Sequence, residues 1–93
     1  MIKRFQNKRT KELFEHRKSQ RLPADTIKRA LNRLDRLNLA NDLMDLRVPP
    51  GNRFEKLQGF EPPRYSIRVN KQYRITFEWT GQDAVNVAFE DYH

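Results

Sequence analysis

Three alternating runs close this chain, and nothing else in it constrains the fold as tightly. Residues 64–69 read RYSIRV, 73–80 read YRITFEWT and 84–93 read AVNVAFEDYH, with the short polar breaks NKQ and GQD between them. Alternation of apolar and polar residues predicts half-buried strands, and breaks this short predict an antiparallel meander. Side chains along a strand point to opposite faces in turn. Tyr65, Ile67 and Val69, then Tyr73, Ile75, Phe77 and Trp79, then Val85, Val87 and Phe89 therefore make one apolar layer. The other face carries Ser66, Arg68 and Asn70, then Arg74, Thr76 and Glu78, then Asn86, Ala88 and Glu90. If the last strand runs on, Tyr92 joins that polar face.

An apolar layer of this size needs a cover, and the first half of the chain supplies one. Ile27, Ala30, Leu31, Leu34 and Leu37 recur at i, i+3, i+4, i+7 spacing, which predicts an amphipathic helix over 23–38. Pro23 suits its first turn, and Asp25 suits the positive end of its dipole. Its outer face carries Lys28, Arg29, Arg33 and Arg36. A shorter helix is expected over 8–17, anchored by Leu13 and Phe14. Residues 2–5 suit a short strand, 41–47 a helical turn and 53–58 a further strand. Pro49-Pro50-Gly51 enforces a loop, because Pro-Pro-Gly cannot continue a helix. Residues 59–63 form a second turn. The expected fold is α+β: two N-terminal helices packed on one face of a small, mainly antiparallel sheet. There is no repeat and no linker, so residues 1–93 are expected to form one domain.

The 93 residues contain no cysteine, which excludes a disulfide framework or a thiolate metal site and suits a reducing compartment. Residues 1–5 are followed by charge rather than an apolar run, which predicts no secretory signal. No apolar run is long enough to span a bilayer. The expected setting is cytoplasmic, without membrane attachment. The net charge is +7, and it is uneven. Residues 1–40 hold twelve Lys and Arg against four Asp and Glu, a balance of +8, whereas residues 41–93 hold seven against eight, a balance of −1. A basic half-molecule draws in polyanions, whether nucleic acid or an acidic protein.

No phosphate loop, dinucleotide fingerprint or metal-ligand spacing occurs, so neither cofactor nor metal is expected. His16 sits among charges on the first helix and reads as a surface residue. Ser19 and Ser66 lack any motif of a nucleophile. The end of the chain is different. Arg68, Arg74 and Tyr92 share a face by phase, and Asp91 and His93 flank Tyr92. Cutting RNA internally requires a base for the 2′-hydroxyl, a cation for the phosphorane and an acid for the 5′-oxygen. Arginine stabilises phosphate bidentately. Histidine serves as acid or base near neutral pH. Tyrosine donates a proton or stacks on a base. By alternation alone these could equally be exposed strand residues and a frayed terminus.

The chain as a whole resembles the HigB branch of the RelE/ParE superfamily of bacterial toxins, from type II toxin–antitoxin operons. The resemblance is carried by MIKRF at 1–5, RVPPGNR at 47–53, YSIRVN at 65–70 with YRITF at 73–77, and EDYH at 90–93. It implies a RelE/ParE-like fold and a toxin that cleaves translated mRNA on the ribosome without a metal, inhibiting translation and growth. Arg74 would then be the phosphate-stabilising residue, and Asp91, Tyr92 and His93 the catalytic ending. Arg53, Lys56, Arg64, Arg68 and Lys71 are the expected RNA-binding residues around it. Some HigB-like toxins place a histidine and a lysine in the strand before the meander. Aligned on Gly59, those places hold Glu55 and Gln58 here. Glu55 can act as a base but repels phosphate, and Gln58 is uncharged. The resemblance also implies a small helix-turn-helix antitoxin of the HigA type, with operator DNA bound only through the toxin–antitoxin complex. The alternative is a non-catalytic toxin on the same scaffold that binds ribosomal RNA or, less in keeping with the D-Y-H ending, DNA gyrase.

Overall fold

The computed structural model describes residues 1–92. Helix α1 spans Lys8–His16 and helix α2 spans Ala24–Leu39. Two 3-10 segments, Leu43–Arg47 and Pro50–Asn52, lead to the strands. These are β1 (Glu55–Lys56), β2 (Tyr65–Arg68), β3 (Tyr73–Thr80) and β4 (Asp83–Asp91). They pair antiparallel in sequence order as one four-stranded sheet. The expected α+β architecture is the one observed.

Each helix begins and ends for a local reason. Asn7 caps α1, its Oδ1 accepting from the Thr10 N–H at 2.9 Å and the Thr10 hydroxyl at 2.7 Å. Arg17 ends it in the left-handed conformation, φ 62°. Pro23 stands just before α2 as its cap residue rather than inside the first turn. Ala30, Leu34 and Leu37 of α2 are fully buried, together with Ile67, Ile75, Phe77 and Val87 of the sheet. Thr10 ties α1 to the sheet as well, its Oγ1 accepting from the Phe89 N–H at 2.9 Å. A truncation such as Leu34→Ala in this core costs about 2–5 kcal/mol.

Two expectations need correction. Residues 2–5 do not form a full strand. They run parallel along β4 as two isolated bridges, Ile2 to Ala84 and Phe5 to Val87, held by four backbone hydrogen bonds that include Lys3 N–H to the Ala84 carbonyl at 2.9 Å and Gln6 N–H to the Val87 carbonyl at 2.8 Å. The phase of β4 also changes partway. Thr76 pairs with Ala88, but Glu78 pairs with Val85, so two residues of β4 face Phe77 alone. Asn86 absorbs the extra residue in the left-handed conformation, φ 52°, which asparagine tolerates better than most residues. Val85 consequently lies beside Glu78 on the polar face, and Ala84 takes its expected place in the core.

Candidate functional site

The site is assembled from a loop, one end of each of the four strands and Tyr92 beyond the last of them. The loop comes first. Asn52 is fully buried, and its Nδ2 donates to the carbonyls of Leu46 at 3.2 Å and Val48 at 3.3 Å. That staple closes the Pro-rich loop on itself and delivers Arg53 in the left-handed conformation, φ 45°. The Arg53 carbonyl then accepts from Nη2 of Arg74 at 2.7 Å. Arg53 thus contributes to the site through its backbone, while its exposed side chain remains free for solvent. Asn52 was passed over in the sequence, where the tetrad Pro-Pro-Gly-Asn reads simply as a turn.

Arg74 lies in the middle of a cross-strand row. Arg68 stands opposite it on β2, and Glu90 stands opposite it on β4. Two arginines side by side disfavour each other unless an anion sits between or beside them. Glu55 supplies one, its Oε1 lying 3.5 Å from Arg74 Nη2. The Arg74 side chain is only 14% exposed, against 55% for Glu55. The Tyr92 ring completes the surround, 5.8 Å from the Arg74 guanidinium carbon and in the range of a cation–π contact. Two polar atoms of this region, Arg74 Nε and Ser66 Oγ, are buried with no hydrogen-bond partner among the described residues.

The next row is structural. Arg64 is 7% exposed, and both terminal nitrogens of its guanidinium are engaged: Nη1 donates to Glu78 Oε2 at 3.2 Å, and Nη2 donates to Thr76 Oγ1 at 2.9 Å and the Asn86 carbonyl at 3.0 Å. Asn86 Nδ2 adds a bond to the same Glu78 oxygen at 3.1 Å. The Thr76 hydroxyl in turn donates to Glu90 Oε2. Arg64 therefore holds the bulged part of β4 to β3 and is not presented as an RNA contact, in contrast to its sequence-based expectation. Strand phase could not reveal this, because a buried arginine needs partners that come from elsewhere in the fold.

The remaining expected residues divide by position. Arg68 is half-buried and its Nε donates to the Asn70 carbonyl at 3.1 Å. Lys71 is exposed in the β2–β3 turn, at the Arg74 end of the sheet, and Lys56 is exposed on β1. Asp91 pairs with Tyr73, so its phase is opposite to that of Arg74 and Glu90. Its carboxylate accepts from Gln72 Nε2 at 3.2 Å. Gln72 also accepts the Tyr92 N–H on its carbonyl, which holds the chain end against the turn. His93, expected to close the catalytic set, lies outside the described residues. His16 is exposed on α1.

The basic helix reaches this region. Arg33 of α2 donates through Nε to the Arg68 carbonyl at 3.0 Å, placing it at the end of β2. Burial, with Arg29 and Arg36 nearby, lowers its pKa from the ordinary arginine value. Farther away, Arg17 and Asp35 join α1 to α2 by two hydrogen bonds at 2.9 and 2.7 Å. The Arg17 hydrogen bond holds the Asp35 carboxyl below the usual carboxylate value against a smaller opposing effect of burial.

With this geometry in hand, comparison with known proteins is informative. The family described as "RelE-like toxin of type II toxin-antitoxin system HigB" matches residues 3–93. The chain is 45% identical over 87 residues to a protein named Toxin HigB-1 from Vibrio cholerae, covering 92% of each. It is 33% identical over 93 residues to one named Endoribonuclease HigB from Proteus vulgaris, covering 100% of each. It is also 37% identical over 67 residues to an uncharacterized protein of Haemophilus influenzae, covering 72% of this chain and 66% of that one.

Proposed function

The chain belongs to the HigB-like toxins, RelE-like toxins of type II toxin–antitoxin systems, and on that premise we propose that it is an endoribonuclease that cuts mRNA on the ribosome and so inhibits translation and growth. The observation that carries this reading is the mounting of Arg74. Its Nη2 is fixed on the Arg53 carbonyl, its face is covered by Tyr92, and its buried Nε has no hydrogen-bond partner among the described residues. A preoriented guanidinium that stays charged suits the charge that grows on a phosphate during transfer.

In this reading Arg74 holds the scissile phosphate. Tyr92, with the Asp91 and His93 that flank it in sequence, provides the proton-transfer end of the site. Arg68 and Lys71 hold neighbouring phosphates, and the Arg53 and Lys56 side chains extend the contact along the loop edge. Arg64 supports the sheet under them. A type II toxin has an antitoxin partner. We take it to be a small helix-turn-helix protein of the HigA type, through which the complex binds operator DNA. The site of action is the cytoplasm, in keeping with the absence, among described residues, of any helix long and apolar enough to cross a membrane.

The Glu55 carboxylate on Arg74 favours one competing reading, a toxin that binds the ribosome without cutting. The test separates them. The chain is expressed without its antitoxin and mRNA 5′ ends are mapped. New ends within translated frames that disappear in Arg74→Ala support the nuclease. Arrested growth without new ends supports the binder.

A further inference from the structure

Glu90 stands directly opposite Arg74 in the β3–β4 register, on the same face of the sheet. Opposite charges in that relation ordinarily close a cross-strand ion pair, because their Cβ atoms lie about 4.5–5.5 Å apart. Among the described residues that pair is not made: the carboxylate paired with Arg74 is Glu55, 3.5 Å from Nη2. Glu90 Oε2 instead accepts from the hydroxyl of Thr76, two residues along β3. Ala88, directly opposite Thr76, is too small to block this diagonal. Thr76 is fully buried, and its oxygen also accepts from Arg64 Nη2 at 2.9 Å. An arginine nitrogen can only donate, so the one hydroxyl proton is left for Glu90. Arg74 meanwhile keeps a donor unfilled, since its buried Nε has no hydrogen-bond partner among the described residues.

We propose that Thr76 is a positioning residue of the cleavage site: its hydroxyl tethers the Glu90 carboxylate and keeps it from closing on Arg74, which stays open to the scissile phosphate. This role rests on the nuclease reading. The two carboxylates beside Arg74 differ in consequence. Glu55 is 55% exposed, so an entering phosphate displaces it into water. Glu90 is half-buried, and a pair formed there would be harder to displace, because charges attract more strongly where water is scarce. Released from Thr76, Glu90 would neutralise the guanidinium that binds phosphate. Tethered, it lends its charge to the Arg68–Arg74 row while its Oε2 stays on Thr76.

The deciding experiment is a double-mutant cycle on the full chain, read by single-turnover cleavage of ribosome-bound mRNA. Co-sedimentation with the same ribosomes over a range of salt reports binding. Thr76→Val is expected to lower the cleavage rate about 10-fold or more and to make the salt dependence of binding shallower by about one phosphate contact. Thr76→Ser keeps the hydroxyl and is expected to stay within about 2-fold of wild type. In a Glu90→Gln background, where position 90 carries no charge, adding Thr76→Val is expected to cost no more than about 2-fold. Unchanged cleavage in Thr76→Val overturns the proposal and leaves the nuclease reading intact. So does an equal loss in both backgrounds, which marks Thr76 as a support of the sheet alone. A loss in Thr76→Ser that matches Thr76→Val overturns it as well. Thr76→Ala, which sets no methyl against Arg64, replaces Thr76→Val if that variant does not fold. If neither folds, Thr76 is structural and the proposal falls. Failure of the wild-type chain to cut overturns both the proposal and the nuclease reading.

Discussion

Arg74 donates from Nη2 to the carbonyl oxygen of Arg53 at 2.7 Å, so a loop backbone aims the side chain of a central strand. The aim depends in turn on Asn52, buried beneath that loop. The site therefore includes residues that never approach a substrate. Their substitution is expected to act on stability and on activity in separable ways.

Asn52→Ala removes the only described side-chain donor to the Leu46 and Val48 carbonyls. Leaving the buried Leu46 carbonyl without this donor is expected to cost about 1–3 kcal/mol, read as a lower denaturation midpoint in urea. Cleavage should fall as well, even under conditions where the variant is fully folded, because the Arg53 carbonyl is no longer held. Full activity in folded Asn52→Ala would separate the loop from the site.

Arg64→Ala tests whether that guanidinium supports the sheet or contacts RNA. Its Glu78 ion pair is largely buried, with side chains 8% and 19% exposed. Removing one partner of such a pair is expected to cost about 3 kcal/mol. The salt dependence of ribosome binding should be unchanged, since no phosphate contact is lost. Lys71→Ala is expected to do the reverse, with a shallower salt dependence and the same urea midpoint.

Tyr92 has two separable parts. Tyr92→Phe keeps the ring over Arg74 and removes the hydroxyl, so ribosome affinity should hold while cleavage falls about 10²-fold or more. Tyr92→Ala loses both, with a further contribution on the order of 0.5–1 kcal/mol from the lost cation–π contact. Equal activity of Tyr92→Phe and wild type would exclude the hydroxyl as proton donor.

The Arg17–Asp35 pair makes a prediction about pH. Asp35 has a folded pKa below its ordinary value, chiefly because Arg17 hydrogen-bonds the carboxylate. The contribution of the pair is therefore complete above the unfolded carboxylate value of about 3.9, and it is lost as pH falls through the lower folded value. Both side chains are close to half exposed, at 46% and 44%, which limits the pair to about 0.5 kcal/mol. Urea titrations of wild type and Asp35→Asn should differ by that amount at pH 7, and the difference should shrink progressively as pH falls below the unfolded carboxylate value.

Much of this molecule was legible in its residues. The period-two runs after residue 64 specified three antiparallel strands, and the Ile27, Ala30, Leu34 and Leu37 spacing specified the helix that covers them. Both patterns are local, because strand and helix periods are properties of the backbone. The shared face of Arg68, Arg74 and Tyr92 followed from the same rule. The tertiary structure decided the rest. It placed Val85 on the polar face, because Asn86 adopts a left-handed conformation that inserts a bulge opposite Phe77. It buried Arg64, because Glu78, Thr76 and the Asn86 carbonyl converge on it from two strands. It brought Glu55 to Arg74, 19 residues later in the chain, because β1 and β3 flank β2 in one sheet. A sequence pattern states which way a side chain points relative to its own strand. Which charge it meets there depends on the register between strands, and only the folded sheet sets that register.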